Sequence, residues 1–227
     1  MNKIWCASFD IGKKNFSFYV EEIDISYLQT IQDVTSKRYE SNGTPTPEFA
    51  NLLEKVFADG RTVLIENVDI TNNCDKKSKL DPETFHNMTD VLDKYSSVWD
   101  KCHVFVIEKQ MQFGLQINPM ALKLGQHCYS YFCFKYGRFK QIIEYPAYNK
   151  TQILGAEKVT SKNGKYKSMD KPSRKKWCIE KAFQILSVRN DLETLSKIRN
   201  TKKKDDLSDV ICQLCSWKYL TFIQEKK

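Results

Sequence analysis

No stretch of this chain is apolar over anything like the ~18–20 residues that a membrane helix needs, so no spanning segment is expected. The opening ten residues lack the charged-then-apolar order of a secretion signal and already read as a strand. An intracellular, unsecreted protein is the expectation. Zinc-ribbon pairs are missing as well. The cysteines stand at 6, 74, 102, 128, 133, 178, 212 and 215, mostly inside apolar segments, and only Cys212 and Cys215 have ligand spacing. Those two fall mid-helix with no second pair, so the thiols are expected to be reduced and packed as small hydrophobes. Internal repeats are absent. Glycine is sparse, 8 in 227 residues, and no second glycine-rich hairpin follows the first to cradle nucleotide phosphates. A nucleotide cofactor is therefore not expected.

What the chain does have is positive charge and a spaced set of acids. The net charge is +8, and much of the excess lies between Lys150 and Lys176 and between Lys202 and Lys204. Nucleic acid is the natural polyanion for such a surface. Asp10 and Glu108 each follow an apolar, strand-like run (KIWCASFD and HVFVIE), so both should sit where a buried strand meets the surface. Asp206 and Asp209 are three apart on a helical pattern and share a face, with roughly 5–6 Å between Cβ atoms. Carboxylates that converge repel by about 4 kcal/mol per pair at ~4 Å and an effective dielectric near 20. Cations relieve that repulsion, and all-oxygen ligands suit Mg²⁺ or Mn²⁺. The combination points to metal-dependent phosphoryl transfer.

At 227 residues the chain fits one domain with insertions. Strands are expected at Lys3–Asp10, Phe16–Glu21, Thr62–Asn67, His103–Glu108 and Phe139–Tyr145. Helices are expected from Thr46 to about Ala58, from Asp81 to about Asp100, over Met120–Lys135, from Ser173 to about Leu186 and from Asp206 to about Phe222. Residues 155–172 are lysine-rich without periodicity and read as a mobile basic loop. The order gives an α/β fold with a mixed central sheet flanked by helices on both faces.

The motifs occur in a recognisable order. They are Phe9-Asp10-Ile11-Gly12-Lys13-Lys14-Asn15, then Val106-Ile107-Glu108-Lys109-Gln110, then the helix from Met120 to Gln126, then Tyr145-Pro146-Ala147 through Lys150, and finally Lys204-Asp205-Asp206-Leu207-Ser208-Asp209. Together they resemble the RuvC-like Holliday junction resolvases of the ribonuclease H-like superfamily, and most of all the poxvirus-type resolvases. The resemblance covers most of the chain. Residues 26–60 form an insertion, and the basic loop is longer than in the compact bacterial pattern.

The resemblance implies a ribonuclease H-like fold and an endonuclease that nicks four-way DNA junctions in symmetric pairs, leaving 5′-phosphate and 3′-hydroxyl ends. Two Mg²⁺ ions, or Mn²⁺ in their place, would be held by Asp10, Glu108, Asp206 and Asp209, with Lys175 or Lys176 beside the scissile phosphate. Asp205 lies about 100° round from Asp206 and could act as a helix cap. Lys13, Lys14, Lys109, Lys150, Lys165, Lys167, Arg174, Lys203 and Lys204 are the candidate DNA contacts. Phe113 would either wedge into the junction centre or pack in the core. A two-fold junction calls for a homodimer, with Met120–Tyr136, apolar nearly all round, as its interface. By the same resemblance the protein would act at cytoplasmic sites of viral replication. Rival readings are a ribonuclease H-like nuclease acting on hybrids or flaps, and a non-catalytic junction-binding protein. Glu66, which ends a similar strand, competes with Glu108 as the second acid.

Overall fold

The computed structural model describes residues 2–71, 81–110, 118–161 and 163–224. Its centre is a five-stranded sheet in the order β3-β2-β1-β4-β5. β1 (Lys3–Asp10) pairs antiparallel with β2 (Phe16–Asp24), which pairs antiparallel with β3 (Arg61–Val68). On the other side β1 runs parallel to β4 (Cys102–Lys109), and β4 runs parallel to β5 (Gln141–Pro146). The sheet is mixed, and helices cover both faces, as the sequence predicts.

Strand alternation explains the two layers. Ala7, Phe9, Phe105 and Ile107 point to one face, where they meet Met88, Leu92, Trp99, Leu124 and Phe132. These come from α3 (Pro82–Lys94), α4 (Ser96–Trp99) and α5 (Pro119–Tyr136). Cys6, Val104 and Val106 point to the opposite face, against α2 (Pro47–Ala58), α7 (Lys171–Val188), α8 (Leu192–Asn200) and α9 (Lys204–Phe222). One further step along each strand therefore aims Asp10 and Glu108 at the α9 face. In the register Phe9 opposes Ile107, which brings the two acids side by side.

Several expectations need correction. The helix expected from Asp81 to Asp100 is two, because it breaks at Tyr95. Asp170 rather than Ser173 caps α7, its side chain accepting from the Ser173 amide with Pro172 in the first turn. The residues after Pro146, for which no helix is expected, form α6 (Ala147–Ile153). The aperiodic lysine segment contains a two-stranded hairpin, β6 (Val159–Thr160) and β7 (Tyr166–Lys167). In the stretch 26–60, read above as an insertion, α1 (Ile25–Thr30) precedes α2. α5 is not buried all round. Only the stripe Ala121, Leu124, Cys128 and Phe132 is buried, while Phe134 is 91% exposed. The seven described cysteines are free thiols, six of them buried.

Candidate active site

Asp10 ends β1, Glu108 lies at the end of β4, and Asp209 is in the second turn of α9. Between them stands Lys150 of α6. Its Nζ is 3.2 Å from Glu108 Oε1 and 3.3 Å from Asp209 Oδ2, and its side chain is 8% exposed. Lysine is almost never buried unless paired, and here the carboxylates supply that pairing. Burial alone would lower the Lys150 pKa. The charges of Glu108, Asp209 and Asp10 outweigh it and hold the ammonium well above the usual lysine range.

The acids are perturbed in opposite directions. Burial, then the charge of Glu108 and the hydrogen bond shared with it, pushes Asp10 well above the usual carboxylate range. Burial opposes ionisation of Glu108 as well, but the adjacent Lys150 and the bond from Asp10 keep it below the usual value. Paired carboxylates with split affinities are a mark of functional sites.

Packing of α9 fixes this geometry. Gln213, one turn beyond Asp209, is buried, and its Nε2 donates to Ser8 Oγ (3.0 Å), Phe9 O (3.2 Å) and Val106 O (3.1 Å). One amide thus ties the helix to both acid-bearing strands, immediately beneath the acids. Sequence reasoning overlooked it, although its i+4 spacing from Asp209 was a usable signal.

A second group adjoins the first. Lys175 at the start of the second turn of α7 pairs with Asp205. The Asp205 carboxylate is thereby held below its usual range against the pull of burial, and it does not cap the helix. Asp206 points inward, with Oδ2 buried and without a hydrogen-bond partner. Burial and the Asp205 charge push it up to about 6. Lys176 is exposed and pairs with Glu180 along α7 at 3.8 Å, apart from the acids. Glu66 meets Lys197 at 3.0 Å and is not part of the cluster.

Lys14, Lys109, Lys165, Lys167, Arg174 and Lys203 are exposed, while Lys13 and Lys204 are half-buried. Lys150 is no solvated phosphate anchor, since its ammonium lies inside the acid cluster. Phe113 falls outside the described residues. A groove of about 250 Å³, lined by Ile107, Glu108, Gln110, Lys123, Gln126 and Glu144, opens beside Glu108 on the α5 side.

Among the described residues, no three His, Cys, Asp or Glu side chains approach closely enough to hold a metal ion as they stand. The spacing is that of carboxylates closed on an ammonium. The donor chemistry nonetheless fits a hard divalent cation, because Asp10, Glu108, Asp206 and Asp209 offer only oxygen and Asp206 Oδ2 is orphaned. A metal and the Lys150 ammonium would compete for the same oxygens.

No protein-family model matches the chain. The uncharacterized protein 170L of Invertebrate iridescent virus 6 is 34% identical, covering 98% of this chain and 92% of the relative. The uncharacterized protein 97L of Invertebrate iridescent virus 3 is 31% identical, covering 92% and 96%. The chain belongs to this iridescent-virus family. Its fold is the one shared by solved Holliday junction resolvases. The Fowlpox virus resolvase solved with substrate Holliday junction DNA matches with TM-score 0.52 at 18% identity, over 96% of this chain and 98% of that one. The same viral enzyme solved in a separate crystal structure gives 0.50 at 17% identity, over 96% and 99%. The yeast mitochondrial resolvase Ydc2 gives 0.51 at 12% identity, over 97% and 82%. Among the described residues, no helix is long and apolar enough to cross a membrane.

Proposed function

We propose that this member of the iridescent-virus family is a metal-dependent endonuclease that resolves four-way DNA junctions by paired nicks. Each nick would leave a 5′-phosphate and a 3′-hydroxyl. The observation that carries this reading is the meeting of Asp10, Glu108 and Asp209 around Lys150, at the strand ends of a fold shared nearly end to end with junction resolvases.

Asp10, Glu108, Asp206 and Asp209 would hold Mg²⁺ or Mn²⁺, two ions per site. When bound, those ions would supply water activation and Lewis-acid stabilisation of the leaving oxygen. Lys150 stands between Glu108 and Asp209, and once released from them its ammonium would be free to meet a scissile phosphate. Lys175, anchored by Asp205, adds positive charge beside the same acids and offsets negative charge developing on the phosphate. Lys13, Lys14, Lys109, Arg174, Lys203 and Lys204 would track the DNA backbone. The whole chain would act as one nuclease domain with residues 26–60 inserted. Two copies would meet on the outer face of α5, where Phe134 is exposed, to place two sites about the junction's two-fold axis. Its place of action would be the sites where viral DNA is replicated.

The deciding experiment compares wild type with Asp10→Asn on a mobile four-way junction, a duplex, a flap and an RNA–DNA hybrid under Mg²⁺ titration. Junction cleavage by wild type that the variant loses supports the reading. Identical traces for the two proteins would end it, and preferred cleavage of the hybrid would turn it to a ribonuclease H.

A further inference from the structure

The β6–β7 hairpin poses a physical problem. Two-stranded hairpins without a covering layer are marginal in water, and nearly every residue from Glu157 to Ser168 that the structure describes is exposed. Something else holds it in place. The Lys158 amide donates to Asn42 O at 2.6 Å, and Asn42 Nδ2 donates to Glu157 Oε1 at 3.2 Å. Gly155, at φ +76, has no room for a side chain, since a Cβ there would lie 2.4 Å from the Pro45 ring. Tyr39 Oη donates to Ile153 O at 3.0 Å, so the same insertion loop also clamps the end of α6.

The hairpin is also strongly basic. Residues 155–176 carry eight lysines and arginines against two acids. Val159 opposes Lys167 and Thr160 opposes Tyr166, so Lys167 shares a face with Val159 while Tyr166 takes the other. Lys165 directly precedes β7, its carbonyl accepting from the Ser161 amide at 2.8 Å. The two ends of the segment lead directly into the site: Lys150 lies eight residues before Lys158, and Lys175 eight residues after Lys167.

Building on the junction-nuclease reading, we infer that the hairpin is a phosphate-gripping arm for a DNA duplex leading away from the cleavage point, and that the Asn42 loop of the insertion holds it at its working angle. Lys165 and Lys167 engage the backbone of that duplex. Asn42 does not touch DNA; it is a positioning residue that acts through Glu157.

The test measures binding of a four-way junction and of a linear duplex in Ca²⁺ across a salt series, with wild-type junction cleavage in Mg²⁺ recorded in parallel. Lys165→Ala/Lys167→Ala should reduce the slope of log K against log salt by about 1 per lysine. The charge-matched pair Lys55→Ala/Lys94→Ala, on the exposed surfaces of α2 and α3, should leave it unchanged. Asn42→Asp sets a carboxylate against Glu157 and should weaken junction binding several-fold, and Asn42→Asp/Glu157→Gln should recover it by restoring a donor. If wild type cuts junctions and the Lys165/Lys167 variant keeps the full slope, the arm is refuted while the nuclease reading stands. If the arm variant behaves as expected but the Asn42/Glu157 swap fails to recover binding, the bracing role is refuted. Wild type that neither binds nor cuts junctions overturns the nuclease reading itself.

Discussion

Gln213 of α9 donates to the carbonyl of Val106 on β4 across 3.1 Å, two residues before Glu108. The same nitrogen reaches Ser8 and Phe9, two residues and one residue before Asp10. Gln213→Leu keeps the volume but leaves Ser8 Oγ and two buried carbonyls without this donor. A loss of about 1–3 kcal/mol follows, visible as a lower urea midpoint. Because the amide also sets how α9 meets β1 and β4, nicking under saturating DNA should fall further than junction affinity. Unchanged cleavage in a destabilised variant would refute that aligning role.

Lys150→Met should separate the two kinds of cation at the site. Without metal, Glu108 and Asp209 lose their shared ammonium, and loss of one partner from a buried ion pair costs about 3–5 kcal/mol. In EDTA the Tm should drop by on the order of 10 °C. Added Mg²⁺ or Mn²⁺ should then raise the Tm of Lys150→Met more than that of wild type, since no ammonium competes. Equal metal-induced shifts in differential scanning calorimetry would refute the competition.

Asp206 gives the fold a pH dependence of known sign. Its carboxyl is pushed up to about 6 by burial and by Asp205, whereas an unfolded aspartate titrates near ~3.9. A group raised on folding stabilises the native state while it is protonated, and that contribution is lost as pH rises through 6. Metal-free wild type should therefore lose stability between pH 4 and 6 relative to Asp206→Asn. Denaturant midpoints measured in EDTA across that range check it. Parallel curves for the two proteins would place Asp206 in an ordinary environment.

A different buried network should affect stability and leave chemistry alone. Lys218 is fully buried, 2.6 Å from Glu21 and 3.2 Å from Asp59, and Arg189 pairs with Glu21 at 2.7 Å. Lys218→Met leaves Asp59 without its ammonium, and the expected cost is about 3–5 kcal/mol. Cleavage per folded molecule should match wild type, as judged by active-site titration below the unfolding transition. A selective loss of cleavage would tie this network to the site.

The sequence made the acid-bearing elements readable because the two periodicities involved are strong. Apolar runs ending in Asp10 and Glu108 placed both at strand ends, and a three-residue spacing placed Asp206 and Asp209 on one helical face. Lys150 was harder. Its burial depends on three acids from three other elements, and nothing local to α6 announces it. That helix has seven residues and no side-chain cap bond, so neither of the usual signals was available. The hairpin escaped notice because two-residue strands carry too little alternation to read. In α5 the aromatic content suggested burial all round. Only one residue in every three or four meets the sheet, and composition cannot say which face that is.

From Leu207 to Tyr219 every residue of α9 except Asp209 is buried. Such a helix works as an axle inside the molecule, unable to slip or roll by one residue without disturbing the layers around it. The placement of its acid is therefore decided when the chain folds, before any ligand arrives. Amide hydrogens along this helix should accordingly exchange only through global unfolding, among the slowest in the protein.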